Sequence, residues 1–209
     1  MTTSFPELYV MRSRNGIGDN IQFPKNTEYG DSWVKVSFSP RSAVFNNQRI
    51  EAQIYEHVLS SLLSHTPHLP EWYATVKFQP DPTQIPSADW MKDYDLTKPA
   101  TALILERING VVMKDDCDPL IMFQILYTIE CFERVGLKHN DLHISNVMVS
   151  TLPEPILLSY KVGERIYSFK TDKFVQIIDF DRACIFHPEV EWNFFLEDEE
   201  LGYNSFIPG

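Results

Sequence analysis

Apolar positions recur along the chain in two periods, and the changes of period mark out its elements. Residues 32–38 alternate, with Trp33, Lys35 and Ser37 on one side and Val34, Val36 and Phe38 on the other, which predicts a strand. Across 47–64, Ile50, Ile54, Val58 and Leu62 recur every fourth residue, an apolar stripe that predicts a helix with Glu51 at the stripe's edge. Pro67 and Pro70 end it, since proline cannot continue a helix. A strand is expected over 72–78, a proline-rich surface excursion over 79–99, and a strongly apolar strand over 101–108 that runs into the turn signal Asn109-Gly110. Asp118 as N-cap and Pro119 as first helical residue open a second helix, with Ile121, Ile125, Ile129 and Phe132 at helical spacing and Gly136 as its stop. Short strands are expected at 147–149, 157–161 and 165–169, the last two turned at Gly163, then a strand buried on both faces over 174–179. The acidic stretch 189–200, with Trp192, Phe194 and Phe195, reads as a solvated face.

The 209 residues suffice for one generous domain or two small lobes. No apolar run approaches the ~20 residues that span a bilayer, and no basic segment followed by an apolar one opens the chain, so neither a membrane span nor a secretory signal is expected. Cys117, Cys131 and Cys184 are scattered and odd in number, which fits free thiols in a reducing, intracellular compartment, cytoplasmic or nuclear. The net charge of -11 argues against nucleic acid and anionic membranes as partners and leaves basic peptides or proteins.

Candidate chemistry centres on His139-Asn140-Asp141-Leu142-His143-Ile144-Ser145-Asn146 and on Asp179, which ends an apolar run. Phosphoryl transfer asks a protein mainly for alignment and charge neutralisation. It needs a lysine on the phosphates, an acid fixing that lysine, an acid facing the acceptor hydroxyl, and oxygen ligands for magnesium. Lys35, Glu51, Asp141, Asn146 and Asp179 fill those roles in chain order. A strand lysine ordinarily faces solvent; it pairs with Glu51, sixteen residues on, if the helix packs beside the strand. Gly16 and Gly18 read either as a plain turn or as a phosphate-covering loop. His139, Asp141 and His143, at spacing two, also match the ligands of a zinc or iron hydrolase, but that reading leaves Lys35, Glu51 and Asp179 unexplained.

These segments resemble the protein-kinase-like superfamily. His139 to Asn146 matches the catalytic loop H-R-D-L-x-x-x-N with Asn140 for Arg, and Asp179-Phe180-Asp181 resembles D-F-G with Asp for Gly. Val34-Lys35-Val36 is similar to the strand carrying the phosphate lysine, the segment from Glu51 to the helix carrying its partner, and 103–108 to the hinge, with Leu105 as gatekeeper. His143 and the hairpin before Asp179 are closest to haspin-type, atypical or large-DNA-virus serine/threonine kinases, which would place the protein in a host cell if viral. The resemblance implies an α+β, two-lobed fold: a small antiparallel-sheet N-lobe over 1–108 and a shortened helical C-lobe over 109–209. It implies ATP and Mg2+ as cofactors, with Lys35, Glu51, Gly16, Gly18 and the backbone of Glu106 and Ile108 around the nucleotide. Asp141 would face the acceptor hydroxyl, Asn146 and Asp179 would hold the metal, and His139 would orient the loop. No A-P-E motif follows Asp179, and His143 replaces the loop lysine. A shortened C-lobe implies a partner protein or a dimer covering it. A weakly catalytic pseudokinase scaffold and a small-molecule kinase stand as alternatives.

Overall fold

The structure, a computed structural model, describes residues 9–12, 19–22, 32–39, 41, 47–81, 92, 94–114 and 118–185. Gly16, Gly18, Cys117 and the acidic stretch 189–200 lie outside them. The fold is α+β with antiparallel sheets. It divides into two compact units, one of Met1–Ser60 with Glu71–Arg107, the other of Ser61–Pro70 with Ile108–Gly209.

The first unit is built on a five-stranded antiparallel sheet of β1 (Tyr9–Arg12), β2 (Asp19–Gln22), β3 (Ser32–Ser37), β4 (Trp72–Phe78) and β5 (Ala100–Glu106), in the order β1-β2-β3-β5-β4. Alternation in β3 sends Val34 and Val36 into a core with Phe38, Ala100, Ala102 and Ile104. Each large apolar side chain so buried contributes roughly 1.5–3 kcal/mol. Lys35 stands opposite Leu103 on the other face, and there α1 (Asn47–Ile54) packs, because Lys35 bonds to Glu51. The expected hinge strand ends two residues early, at Glu106, whose N–H donates to the Glu71 carbonyl at 2.8 Å.

The helix after β3 departs from the predicted stripe. Its middle is a π-helical turn, Tyr55–Leu59, before a last short turn α2 (Ser60–Leu62). The wider turn rotates the buried face, so Glu51, Ile54, Tyr55, Leu59 and Leu62 are buried while Val58 is only half-buried. Glu51 is thus inside the packed face and not at its edge.

In the second unit α3 (Pro119–Arg134) begins as the sequence predicts, with the Asp118 carboxylate accepting from the Leu120 N–H at 2.7 Å and Pro119 following. Its buried face takes in Gln124 and Thr128 beside Ile121, Ile125 and Phe132, leaving Ile129 half-buried. Gln124 explains the shift. Its Oε1 accepts from the Val175 N–H at 3.0 Å and its Nε2 donates to the Lys173 carbonyl at 3.0 Å, stitching the helix to β9 (Arg165–Ile177).

Three predicted short strands and the buried strand are one long hairpin. β8 (Val147–Val162) and β9 pair from Val147↔Ile177 to Val162↔Arg165, and Gly163 turns them with a φ of 60°. Pro153 and Pro155, which had argued for a connection, fall between Thr151 and Ile156, where the register slips and neither must donate to the ladder. β6 (Val111–Val112) borders β8, and β7 (Leu137–Lys138) pairs with β10 (Cys184–Ile185). Gly110, predicted as a turn residue, serves close approach: a Cβ there would lie 2.8 Å from Ser150 Oγ and 2.9 Å from the Val149 carbonyl oxygen.

Candidate functional site

In the first unit Lys35 Nζ meets both oxygens of Glu51, at 3.0 and 2.8 Å. The Glu51 side chain is 1% exposed and that of Lys35 19%. Such burial of a carboxylate is tolerated only with a paired cation, so the strand lysine is held at a set height above the sheet.

In the second unit α3 delivers the chain through β7 to residues 139–146. His139 is buried, and its Nε2–H donates to the Ile178 carbonyl at 3.0 Å. Burial lowers its pKa against the opposing pull of that bond and of the Asp179 and Asp141 charges, so the ring stays neutral. The same ring packs on Phe180 with centroids 4.7 Å apart, and Phe180 meets Phe132 of α3 edge-on at 5.7 Å. Nε2 and the ring face of His139 are therefore committed to this packing. Among the described residues no group of three or more His, Cys, Asp and Glu is arranged to hold a metal ion, which leaves the hydrolase reading without a ligand set.

Asn146 closes a 3-10 turn, Ile144–Asn146, and its Nδ2 donates to the Asp141 carbonyl at 2.9 Å. The Ile178 N–H donates to the Asn146 carbonyl at 3.0 Å. Ile178 is thus bonded on both sides to the 139–146 loop, and Asp179 follows directly. Asp179 has a φ of 69°, left-handed for a residue with a side chain. Ile177 and Phe180 are both fully buried, which strand alternation does not allow for residues three apart; the left-handed turn at Asp179 reconciles them. Asp141, Asn146 and Asp179 are so brought together.

Two more side chains flank Asp141. Arg182 Nη1 lies 3.8 Å from Oδ1 and His143 Nε2 lies 3.8 Å from Oδ2, both side chains about half exposed. His143 Nδ1 accepts from the Ser145 N–H at 3.2 Å, and its Nε2 lies 3.3 Å from Asn146 Nδ2. Arg182 was not foreseen, because nothing in its spacing sets it apart. The Asn140 side chain was read only as a replacement in a motif, yet it bonds across to residues 182 and 184.

The donor set fits magnesium shared with a nucleotide. Asn146 Nδ2 is committed to Asp141, which turns the amide oxygen the other way. One amide oxygen and one carboxylate are too few for a closed cage and suit an ion that takes its remaining ligands from phosphates and water. Glu106 ends β5 with its N–H given to the Glu71 carbonyl, and Ile108 opens the second unit.

No known protein-family profile matches the chain. Over 66 residues, 31% of the chain, it is 36% identical to the uncharacterized protein 179R of Invertebrate iridescent virus 6, and the match spans 6% of that protein's length. Among solved structures it is similar to one of the Rad53 kinase domain with SCD2, at a TM-score of 0.44 and 12% identity over 86% of this chain and 52% of that one. A Plasmodium kinase domain is similar at 0.46 and 16% identity, over 88% of this chain and 54% of that one. No helix among the described residues is long and apolar enough to cross a membrane.

Proposed function

We propose that the chain is an ATP-dependent phosphotransferase that moves the γ-phosphoryl group to a protein serine or threonine hydroxyl. The observation that carries this reading is the double bonding of Ile178 to the 139–146 loop, which fixes Asp179 beside Asp141 and Asn146. Lys35, held by Glu51, is assigned to phosphate oxygens. Asp141 accepts the hydroxyl proton as the acceptor oxygen bonds to the γ-phosphorus, the bond from that phosphorus to the bridging oxygen breaks, and ADP leaves. Magnesium, when bound through Asn146 and Asp179, supplies neutralisation of the phosphate charge. The charge of -11 favours a basic protein acceptor over nucleic acid.

The test is transfer of radiolabelled phosphate from ATP to a histone acceptor, with Asp141→Asn beside the wild type. Transfer that Asp141→Asn removes supports the reading. Magnesium-ATP binding without transfer would establish a scaffold instead, and transfer only to a sugar or amino alcohol would establish a small-molecule kinase.

A further inference from the structure

We propose that Asn140 is a positioning residue for the transfer, holding Arg182 against Asp141. The inference rests on the function proposed above. Asn140 lies between the pinned His139 and Asp141 and has a φ of 60°, a conformation that asparagine adopts at less cost than most residues. From there its Nδ2 donates to the Arg182 carbonyl at 3.1 Å and to Cys184 Sγ at 3.1 Å. These bonds sit beside the ladder pair Lys138↔Cys184, so the amide extends the short β7–β10 sheet by one rung. The Ala183 N–H donates to the Phe180 carbonyl at 3.1 Å, which closes the intervening turn. Arg182 is thereby anchored through its backbone, and its guanidinium reaches Asp141 Oδ1 while His143 faces Oδ2. Both oxygens of the acceptor-facing carboxylate are addressed, one of them through Asn140.

The chemistry requires a donor at position 140, since a backbone carbonyl accepts and the thiol sulfur here does too. Asn140→Asp keeps size and backbone tolerance and loses the donor. In the full chain, Asn140→Asp and Arg182→Gln should each lower kcat for histone phosphorylation by about 10²-fold, the cost of a small misplacement of a reacting group. The KM for ATP should stay within about two-fold, because neither residue is assigned to the nucleotide. Arg182→Lys should recover most of the rate, and the double variant should fall no lower than either single one. Wild-type kcat in Asn140→Asp or additive losses in the double variant would each overturn the proposal. If the wild type transfers no phosphate, the function above fails, and hydrogen exchange over residues 180–185 decides the latch alone: faster exchange in Asn140→Asp supports it, unchanged exchange overturns it.

Discussion

Glu51 brings a charge into a packed face, and Lys35 is what makes that burial tolerable. Lys35→Met should therefore destabilise the protein by about 3 kcal/mol, the low end for breaking a buried pair because Lys35 keeps some solvent contact. Urea unfolding measures it, and Glu51→Gln should cost less because the charge left behind, on Lys35, keeps some contact with water and can still bond the amide oxygen. Asp179 separates conformation from chemistry. Asparagine tolerates the left-handed backbone almost as well, so Asp179→Asn should leave the melting temperature of the ligand-free protein within the ordinary range of a surface change. On the proposed function, magnesium-ATP should raise the melting temperature of the wild type and not that of this variant, read by thermal shift. At this scale the sequence offered the pairing of Lys35 with Glu51 only on condition that the helix packs beside the strand, which it does, although helical spacing had put Glu51 at the edge of the buried face. Arg182 and the role of Asn140 escaped, because they depend on a turn that brings residues more than forty positions apart into contact.

The elements were legible where one periodicity ran uninterrupted. The start of α3 followed from Asp118 and Pro119 alone. Its buried face did not, because glutamine and threonine rank as surface residues until a strand edge supplies their partners. Gln124→Leu keeps the volume but strands the Val175 N–H and leaves the Lys173 carbonyl the long bond from Thr171 Oγ1, and should cost about 1–3 kcal/mol with an unchanged denaturant slope. The π turn at Tyr55–Leu59 defeated the four-residue repeat by widening one turn, and the two prolines disguised β8 because a register slip can host what a regular ladder cannot.

For the molecule as a whole, buried histidines weaken the fold toward acid, and His68 is one of them. His68 Nδ1–H donates to the Val175 carbonyl and Nε2 accepts from the Tyr160 hydroxyl, both at 2.8 Å. Burial pushes its pKa down from 6.5 to about 4. The unfolded chain takes up a proton below about pH 6.5 that the folded protein refuses until about pH 4, so stability falls by roughly 3 kcal/mol across that window and is level above it. Unfolding free energies from pH 4 to 8 should show this slope, and His68→Gln should make it shallower, His139 still acting in the same direction.

The long hairpin carries a consequence for engineering. Its base pairs Val147 with Ile177, so Asn146 and the segment leading to Asp179 are spliced together by sheet, while Gly163 marks the far end. Leu157 and Ile166 near that end are largely open to water. The far end can therefore accept an epitope or a fluorophore as a reporter, with the geometry of the two oxygen donors insulated from whatever is grafted there.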